Sequence, residues 1–268
     1  MNNWQLHPLT DQERADLANQ PTPAGIYDYL LGGKDAKSSE RVIAEQLLAI
    51  NPQIRVMAKR NRAFLRRAVA AVAGEGVRQF VDIGSGLPAS DNVHQVAQRV
   101  DPDVTTVYVD NDIRVGTHGR ALLASDRRTH FIDHDVRHPG ELLYVIHAEK
   151  LIDFSRPVGL IMSAILHFIQ DDEDPEGIVD TLVSALAPGS FVVISHALDD
   201  EQLRTVAREY AAAGVSSAPV LRTAKGIERF FKGLQLEEPG LVLVDEWRPE
   251  VPGLSEGVPV LAGVGRKR

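Results

Sequence analysis

The sequence predicts an α/β protein whose mostly parallel sheet is covered by helices on both faces. From residue 78 onward, short apolar runs alternate with segments of helical periodicity, which is typical of strand–helix–strand units. Near the end of the chain two runs are joined by a Pro- and Gly-rich loop instead of a helix, which favours antiparallel pairing at the sheet edge. The predicted strands are 79–83, 105–109, 129–132, 158–162, 191–195, 241–247 and 258–264.

Helices are predicted between the strands and ahead of them. The clearest start is Asp174-Pro175-Glu176, which offers an N-cap, a proline at the first helical position and a carboxylate near the positive end of the helix dipole. Helical patterns precede residue 76, and the strand–helix alternation follows it. We predict an N-terminal helical lid or cap segment at 1–76 and a ligand-binding sheet domain at 77–268. The predicted helices are 40–50, 53–73, 91–100, 113–124, 140–151, 175–186, 201–213 and 223–231.

Composition restricts the classes of function. The chain has 268 residues, 44% of them hydrophobic and 25% charged, as in soluble globular proteins. It has no cysteine, which excludes disulfides, thiolate metal sites and cysteine nucleophiles. A net charge of −8 argues against nucleic acid or an anionic membrane as the main partner. Because the N-terminus does not resemble a secretory signal and no apolar run is long enough to span a bilayer, we expect a cytoplasmic protein.

Polar and glycine residues follow the predicted strands at their carboxyl ends, where doubly wound sheets bind ligands. Chemistry-bearing side chains at one edge of a sheet are expected to lie close together. The set is Asp82, Gly84, Ser85 and Gly86 after the first strand, Asp110 and Asn111 after the second, Asp135 and Val136 after the third, Ser163 and His167 after the fourth, and His196 after the fifth.

Two cofactors compete for this edge. A dinucleotide such as NAD usually requires G-x-G-x-x-G, and here the turn Gly84-Ser85-Gly86 lacks the third glycine. Asp82 would also lie poorly beside a pyrophosphate. S-adenosylmethionine carries no phosphate, and its amino and carboxylate groups would suit Asp82 and the amides of the glycine turn. The spacing therefore favours S-adenosylmethionine.

The two following strand ends complete that hypothesis. Asp110 would accept hydrogen bonds from both ribose hydroxyls, and Asn111 would line the adenine. Asp135 and Val136 would bind the adenine amino group and an adjacent ring nitrogen. Any one of these acids is more often a loop or cap residue, but three at successive strand ends make coincidence much less plausible.

Several motifs stand out along the chain: YDYLLGGKD at 27–35, NRAFL at 61–65, DIGSGLP at 82–88, VYVDND at 107–112, LHF at 166–168, LAPGS at 186–190 and WRP at 247–249. They resemble those of a bacterial family of S-adenosylmethionine-dependent methyltransferases. The resemblance runs from about residue 21 to residue 247. It implies a class I methyltransferase, Rossmann-like fold with a seven-stranded sheet whose last strand is antiparallel, and it implies S-adenosylmethionine as cofactor. It supplies no acceptor.

Methyl transfer is an in-line displacement at an activated methyl group, so positioning supplies much of the rate, and a general base matters mainly for a hydroxyl acceptor. His167 is the best-placed base and His196 the second. Tyr27 and Tyr29, with Lys34, would reach the ligand if the N-terminal segment folds over it as a lid. The competing interpretation of Tyr27, Tyr29 and the glycines after them is a short helix closed by glycine.

Two further side chains are expected in the cofactor site. Asn61 lies on the apolar stripe of its helix, where it either satisfies core groups or points into the ligand cleft. Ser163 ends the fourth strand. We predict that Asn61, Ser163 and Tyr29 help to bind the cofactor.

Two polar clusters are not predicted to bind a metal. His130, His134 and His138 fall on a strand and its loop, so they do not share a helical face, and the acids at 171–174 suit a solvated loop that ends in a helix cap. The leading hypothesis is an S-adenosylmethionine-dependent methyltransferase with a small-molecule acceptor, with methylation at oxygen as one option. The alternative is a non-catalytic S-adenosylmethionine-binding or interaction protein, because no strong base stands out.

Overall fold

The computed structural model describes residues 20–123, 127–251, 253 and 255–268. The polar N-terminal stretch at 1–19 lies outside these residues. In the described ranges no helix has the length and apolarity needed to cross a membrane. The helices are α1 (Pro23–Leu31), α2 (Ser38–Ile50), α3 (Gln53–Gly74), α4 (Val93–Val100), α5 (Ile113–Leu123), α6 (Pro139–Ala148), α7 (Pro175–Ser184), α8 (Glu201–Ala212) and α9 (Ala224–Glu228).

The strands form one mixed sheet. They are β1 (Gln79–Ile83), β2 (Thr105–Asp110), β3 (Thr129–Asp133), β4 (Gly159–Ser163), β5 (Phe191–Ala197), β6 (Gln235–Leu236), β7 (Val242–Leu243) and β8 (Val260–Arg266). Their order is β3-β2-β1-β4-β5-β8-β6, with β7 also paired to β8. Strands β1 to β5 are parallel, and β8 is antiparallel to its three partners. The predicted mostly parallel sheet with an antiparallel last strand is confirmed.

The sequence prediction was wrong in detail at this antiparallel edge. Of the strand predicted at 241–247, only Val242–Leu243 forms a strand paired with β8, followed by one bond from the Val244 N–H to the Val260 carbonyl (2.9 Å), and the short β6 was not predicted. The reason lies in helix α3, whose Arg67 guanidinium donates to the carbonyls of Val244 (2.6 Å) and Trp247 (2.9 Å). Backbone groups that would continue the strand are thereby bonded to a helix, and the Trp247 ring packs edge-on against Phe64 at 5.5 Å.

Helix α3 lies along the sheet and shares its core. Its Phe64, Ala68 and Val72 are almost fully buried in one cluster with sheet residues such as Phe80 and Ile161. Ala68 and Val72 belong to the apolar stripe that the helical periodicity predicted. The division of the chain at residue 76 stays a prediction, and α3 packs with the residues on the C-terminal side of that division.

Helices α1 and α2 form a cap with α8. Ile26 and Leu30 of α1 pack with Leu47 of α2 and with Leu203 and Val206 of α8 in a third apolar cluster. The cap therefore joins the first helices of the described chain to a helix that follows β5. This brings α1 over the carboxyl edge of the sheet.

The segment at 27–35 closes the cap with a tight turn. The buried Asp28 carboxylate accepts hydrogen bonds from the backbone N–H groups of Asp35 and Ala36, both at 3.0 Å. Gly33 passes so close that a Cβ there would lie 1.8 Å from an Asp28 oxygen. Gly32 ends α1 in the left-handed region, with φ of 86°. The aspartate and the glycine pair thus have a structural role, as in the competing interpretation.

Candidate functional site

A cavity of about 900 Å³ opens at the carboxyl ends of the parallel strands. Its floor is the end of β1 to β5, and its roof is α1, α8 and the segment 216–221. This is the edge at which the sequence predicted a ligand. The cavity brings together nearly all the predicted site residues, namely Tyr27, Asn61, Asp82, Gly84, Ser85, Gly86, Asp110, Asn111, Asp135, Val136, Ser163 and His167.

Tyr29 and Lys34 lie away from the residues that line the cavity. The Tyr29 hydroxyl donates to the exposed Glu45 carboxylate, and its ring lies under the Arg55 guanidinium at 5.5 Å. Lys34 is exposed in the turn after α1. The reason is helix geometry, because Tyr27 and Tyr29 are two positions apart and therefore point to different sides of α1. The predicted contact of Tyr29 with the cofactor does not fit this arrangement.

The glycine turn after β1 is shaped by contacts with β2 and the β4 loop. Gly84 has φ of 66°, and a Cβ on it would lie 2.6 Å from the Ile165 side chain. The N–H groups of Gly84 and Ser85 donate to the Val109 carbonyl at 2.8 and 3.2 Å, and that of Gly86 donates to Asp110 at 2.8 Å. These three amides already have acceptors, so the turn provides shape and carbonyl oxygens in place of the N–H donors that the sequence suggested.

Asp82 lies at the centre of the floor. Its side chain is buried, yet its carboxyl has no hydrogen-bond partner among the described residues. Burial raises its pKa to about 7, the nearby Arg62 guanidinium opposes that rise, and Asp110 adds to it. A cation that binds next to this carboxyl group would stabilise its ionised form.

Arg62 was not among the residues that the sequence predicted to line the site. One of its terminal nitrogens donates to the Asp91 carbonyl and to the Asn92 side chain, both at 3.1 Å. Its Nε atom is buried and has no partner among the described residues. Arg62 lines the cavity beside Asp82, so a positive and a negative group lie together there. Arg62 lies four positions after the buried Ala58 and three before the buried Leu65, and this helical spacing was the signal that could have identified it.

Asp110, Asn111 and Asp135 link the ends of β2 and β3. Asp110 accepts from the Gly86 and Asp112 N–H groups at 2.8 and 2.9 Å, and burial, partly offset by these bonds, raises its pKa to about 6. Asn111 donates to Asp135 at 2.9 Å. Burial opposes ionisation of Asp135, but hydrogen bonds from Arg137 and Asn111 outweigh it and lower its pKa. The second and third strand ends are therefore one connected acidic wall.

A polar network joins α3 to the ends of β4 and β5. The Asn61 side chain donates to the Tyr27 hydroxyl at 2.9 Å and accepts from Ser195 at 2.6 Å, and the Ser163 and Ser195 hydroxyls are 3.0 Å apart. The Tyr27 hydroxyl in turn donates to the Ala58 carbonyl at 3.1 Å. Tyr27 thus uses its proton within the fold, which favours a positioning contact over the predicted catalytic one.

His167 is a cavity residue whose ring nitrogens have no hydrogen-bond partner among the described residues, and its Nδ1 atom is fully enclosed. Its ring lies 5.5 Å from that of His196. Burial, His196 and the Arg222 guanidinium hold the pKa of His167 well below its ordinary value. The imidazole is neutral, and Nε2 is the nitrogen left to meet a ligand.

His196, the second predicted base, is a structural residue. Its Nδ1 contacts the Ala197 carbonyl at 2.7 Å, and its Nε2 accepts from Arg222 at 2.9 Å. Burial lowers its pKa to about 4. The buried Arg222, which the sequence gave no reason to single out, also donates to the carbonyls of Leu166 (2.9 Å) and Ile169 (2.8 Å). It therefore fixes the turn that carries His167.

A buried ion pair ties the cap to the carboxyl edge of the sheet. The Glu40 carboxylate at the start of α2 is fully buried and accepts from the Thr22 and Lys37 N–H groups at 3.0 and 2.7 Å. It also pairs with Arg114 at 2.5 Å, and Arg114 lies in the first turn of α5, shortly after Asp110 and Asp112. A Cβ on Gly25 would lie 1.9 Å from Glu40, so only glycine permits this approach.

Charge is unevenly distributed along the cavity. All of its formally charged lining residues come from α3, from the ends of β1 to β3 and from the segments that follow those strands. The lining residues from α1, α8 and segment 216–221 carry no formal charge. Among the described residues, no group of histidine and acidic side chains is arranged to hold a metal ion.

The chain that forms this cavity can be compared with known proteins. The sequence profile of a family described as S-adenosyl methyltransferase matches residues 10–268. The chain belongs to this S-adenosyl methyltransferase family. The protein is therefore an S-adenosylmethionine-dependent methyltransferase, which confirms the predicted family and the predicted cofactor.

Solved structures agree with this assignment. The methyltransferase is 39% identical to a candidate methyltransferase from Thermobifida fusca, with 93% of this chain and 96% of that one covered and a TM-score of 0.87. It is 38% identical to a DUF574 family protein from Streptomyces avermitilis, with 94% and 99% covered and a TM-score of 0.88. A comparison with curated proteins gives no match.

Proposed function

We propose that this methyltransferase transfers the methyl group of S-adenosylmethionine to an oxygen of a small-molecule acceptor. The observation that carries the proposal is His167, a neutral imidazole without a partner in the described chain, which lines a cavity roofed by α1 and α8. A neutral imidazole accepts a hydrogen bond from a hydroxyl and so orients an oxygen nucleophile. The roof favours a small acceptor over a macromolecule.

The charged lining residues of the cavity and their neighbours, which come from α3 and from the ends of β1 to β3, fit the cofactor. Asp82, buried without a partner in the described part of the chain, suits the ammonium group, and the buried Nε of Arg62 suits the carboxylate. Asp110 keeps lone pairs for the ribose hydroxyls after its two backbone bonds. Asn111, Asp135 and Val136 suit the adenine. Gly84, Ser85 and Gly86 shape the turn between these groups, and Asn61 and Ser163 border it from α3 and β4.

The chemical step rests on alignment. When bound, S-adenosylmethionine supplies an electrophilic sulfonium methyl group, whose carbon–sulfur bond breaks as the acceptor oxygen attacks. His167 holds the hydroxyl in line, and the turn fixed by Arg222 keeps the ring in place. Because its pKa is held so low, His167 is suited to orienting the O–H group and passing its proton to solvent, not to storing it.

Binding and turnover on the full chain test this function. Calorimetry should show binding of S-adenosylmethionine and S-adenosylhomocysteine, and no binding of NAD. Incubation with methyl-labelled S-adenosylmethionine and a library of hydroxylated and amine compounds should label hydroxylated ones. Binding of NAD without either sulfur ligand would contradict the cofactor site, and labelling of amines alone would contradict transfer to oxygen.

His167→Gln should lower kcat/KM for an acceptor found in that library by a factor corresponding to about 1–3 kcal/mol, the scale of a lost hydrogen bond in a buried site. Affinity for S-adenosylhomocysteine should stay unchanged. His167→Phe, which retains a ring and has no nitrogen, should lose more than the glutamine variant. Equal activity of the wild type and the phenylalanine variant would show that the imidazole does not contact the acceptor.

A further inference from the structure

We propose that the acceptor is an uncharged, mainly apolar compound bound in the part of the cavity formed by α1, α8 and segment 216–221, here called the uncharged half. This inference rests on the proposed function and specifies its substrate class. A cavity of about 900 Å³ lies near the upper end of the range for ligand pockets, roughly 300–1,000 Å³, which is consistent with room for two ligands side by side.

The walls of the uncharged half are apolar. Helix α8 contributes Leu203, Val206 and Ala207, and α1 faces them with Ile26 and Leu30. An ionised acceptor placed there would lose its hydration without gaining a charged partner, and burial of an unpaired charge costs several kcal/mol or more. A neutral apolar acceptor instead gains about 25 cal/mol for each Å² of apolar surface removed from water.

Four polar residues of the uncharged half, Tyr27, Tyr210, Ser216 and Ser217, interrupt these walls, and His167 borders them from the turn after β4. The Tyr210 hydroxyl and the His167 imidazole both line the cavity and have no hydrogen-bond partner among the described residues. Phe168 lies between them, its ring 4.5 Å from that of His167 and 6.0 Å from that of Tyr210. Both groups are uncharged at neutral pH, because burial raises the pKa of Tyr210 and lowers that of His167. They match an acceptor with few, uncharged polar groups next to an apolar frame.

The wall opposite the sheet is held in place by backbone bonds. The Ser216 N–H donates to the Pro21 carbonyl at 3.0 Å, and the Val220 N–H donates to the His167 carbonyl at 2.6 Å. Gln170 adds a bond to the Ala218 carbonyl at 2.9 Å. The segment 216–221 is thereby fixed both to the chain before α1 and to the loop that carries His167. A fixed wall limits the size of the acceptor.

The test uses three probes that share one ring system and differ in charge: 2-naphthol, 2-naphthoate and 2-naphthylmethylammonium. Calorimetry at pH 7.5 on the full chain saturated with S-adenosylhomocysteine should show 2-naphthol bound at least tenfold more tightly than either ion. Equal affinities, preference for an ion, or binding of none of the three would overturn the inference. Failure of S-adenosylhomocysteine to bind would instead count against the proposed function itself.

A charge placed in the wall provides the matched variants. Ala207→Asp should weaken 2-naphthol at least tenfold, and Ala207→Asn, of similar size without charge, should weaken it less. Ala207→Lys should improve binding of 2-naphthoate relative to the wild type. The affinity for S-adenosylhomocysteine should be unchanged in all three variants, which would show that the fold is intact. The lysine variant could retain its affinity for S-adenosylhomocysteine and still rank the three probes as the wild type does. That result would show that the probes do not bind in the uncharged half.

Discussion

Glu40→Gln should lower the free energy of unfolding by about 3–5 kcal/mol, the cost of breaking a buried ion pair by removing one partner. Glutamine retains one acceptor oxygen, but its amide nitrogen faces the donors of Thr22, Lys37 and Arg114. The Arg114 guanidinium, itself largely buried, loses its carboxylate partner from the cap. Urea unfolding measures the change, with a lower midpoint at an unchanged m-value as the expected result.

The control is Glu45→Gln on the same helix. Glu45 is also bonded to a tyrosine and near an arginine, but its side chain is 59% exposed, so its loss should have little effect on unfolding. The double variant Glu40→Gln with Arg114→Met should recover part of the lost stability, because it removes a largely buried cation that would otherwise be left with Asp112 as its carboxylate partner. Equal midpoints for Glu40→Gln and Glu45→Gln would show that the buried pair does not hold the cap.

Asp82→Asn should weaken binding of S-adenosylhomocysteine by about 1–3 kcal/mol, the cost of losing a hydrogen bond to a charged group. The carboxyl is buried and has no partner among the described residues, so the ligand ammonium is the group that would balance its charge. The fold should be unaffected, since asparagine has the same shape and the acid, with a pKa of about 7, is about half protonated in the free protein at pH 7. Calorimetry measures both the affinity and the proton release.

The same contact makes affinity depend on pH in a defined direction. Because the pKa of Asp82 is raised to about 7 in the free protein, binding a cation below that pH must expel a proton, and affinity should rise as the pH increases to 7. Above a pH of about 8 the ligand's own α-amino group loses its charge, and affinity should fall again. In Asp82→Asn the rise between pH 6 and 7 should disappear, while the Asp110 carboxyl, with a pKa of about 6, still contributes below that range.

Asp133→Asn separates contact from general electrostatics. Asp133 lies at the end of β3 beside the same cavity and pairs with Arg120, and its side chain is 52% exposed. Removing this charge should leave S-adenosylhomocysteine affinity near that of the wild type. A similar loss in both asparagine variants would mean that the acidic field of the cavity binds the ligand, without a specific contact from Asp82.

The contrast between Asp82 and Tyr29 shows which parts of the site could be predicted from the sequence. Asp82 follows an apolar run and precedes a glycine turn, and in a parallel sheet every strand end of this kind lies at one edge. The same rule correctly predicted that Asp110, Asp135, Ser163 and His167 would line one cavity. Tyr29 belongs to a helix outside that rule. Its direction depends on how α1 docks, and α1 docks with Tyr27 towards the cavity and Tyr29 towards Glu45.

His196 and Arg222 illustrate the same limit. The sequence placed both histidines at strand ends and ranked them by position alone. Long-range contacts give His196 a carbonyl at one nitrogen and the Arg222 guanidinium at the other, and leave His167 with neither. Arg222 lies 26 positions after His196, and no local pattern signals that distance.

The sequence by itself determined the alternating strands and helices, the glycine turn and the acidic strand ends, because hydrophobic periodicity and turn chemistry are local properties. It also identified the family and, with it, the methyl donor. The tertiary structure decided which polar groups have partners: Glu40 is matched by Arg114, the glycine-turn amides are occupied, and Asp82 and His167 are left for ligands. Whether a polar group has a partner depends on contacts between distant segments. The free-energy cost of leaving a group without a partner depends on its burial, which is decided only when the chain folds.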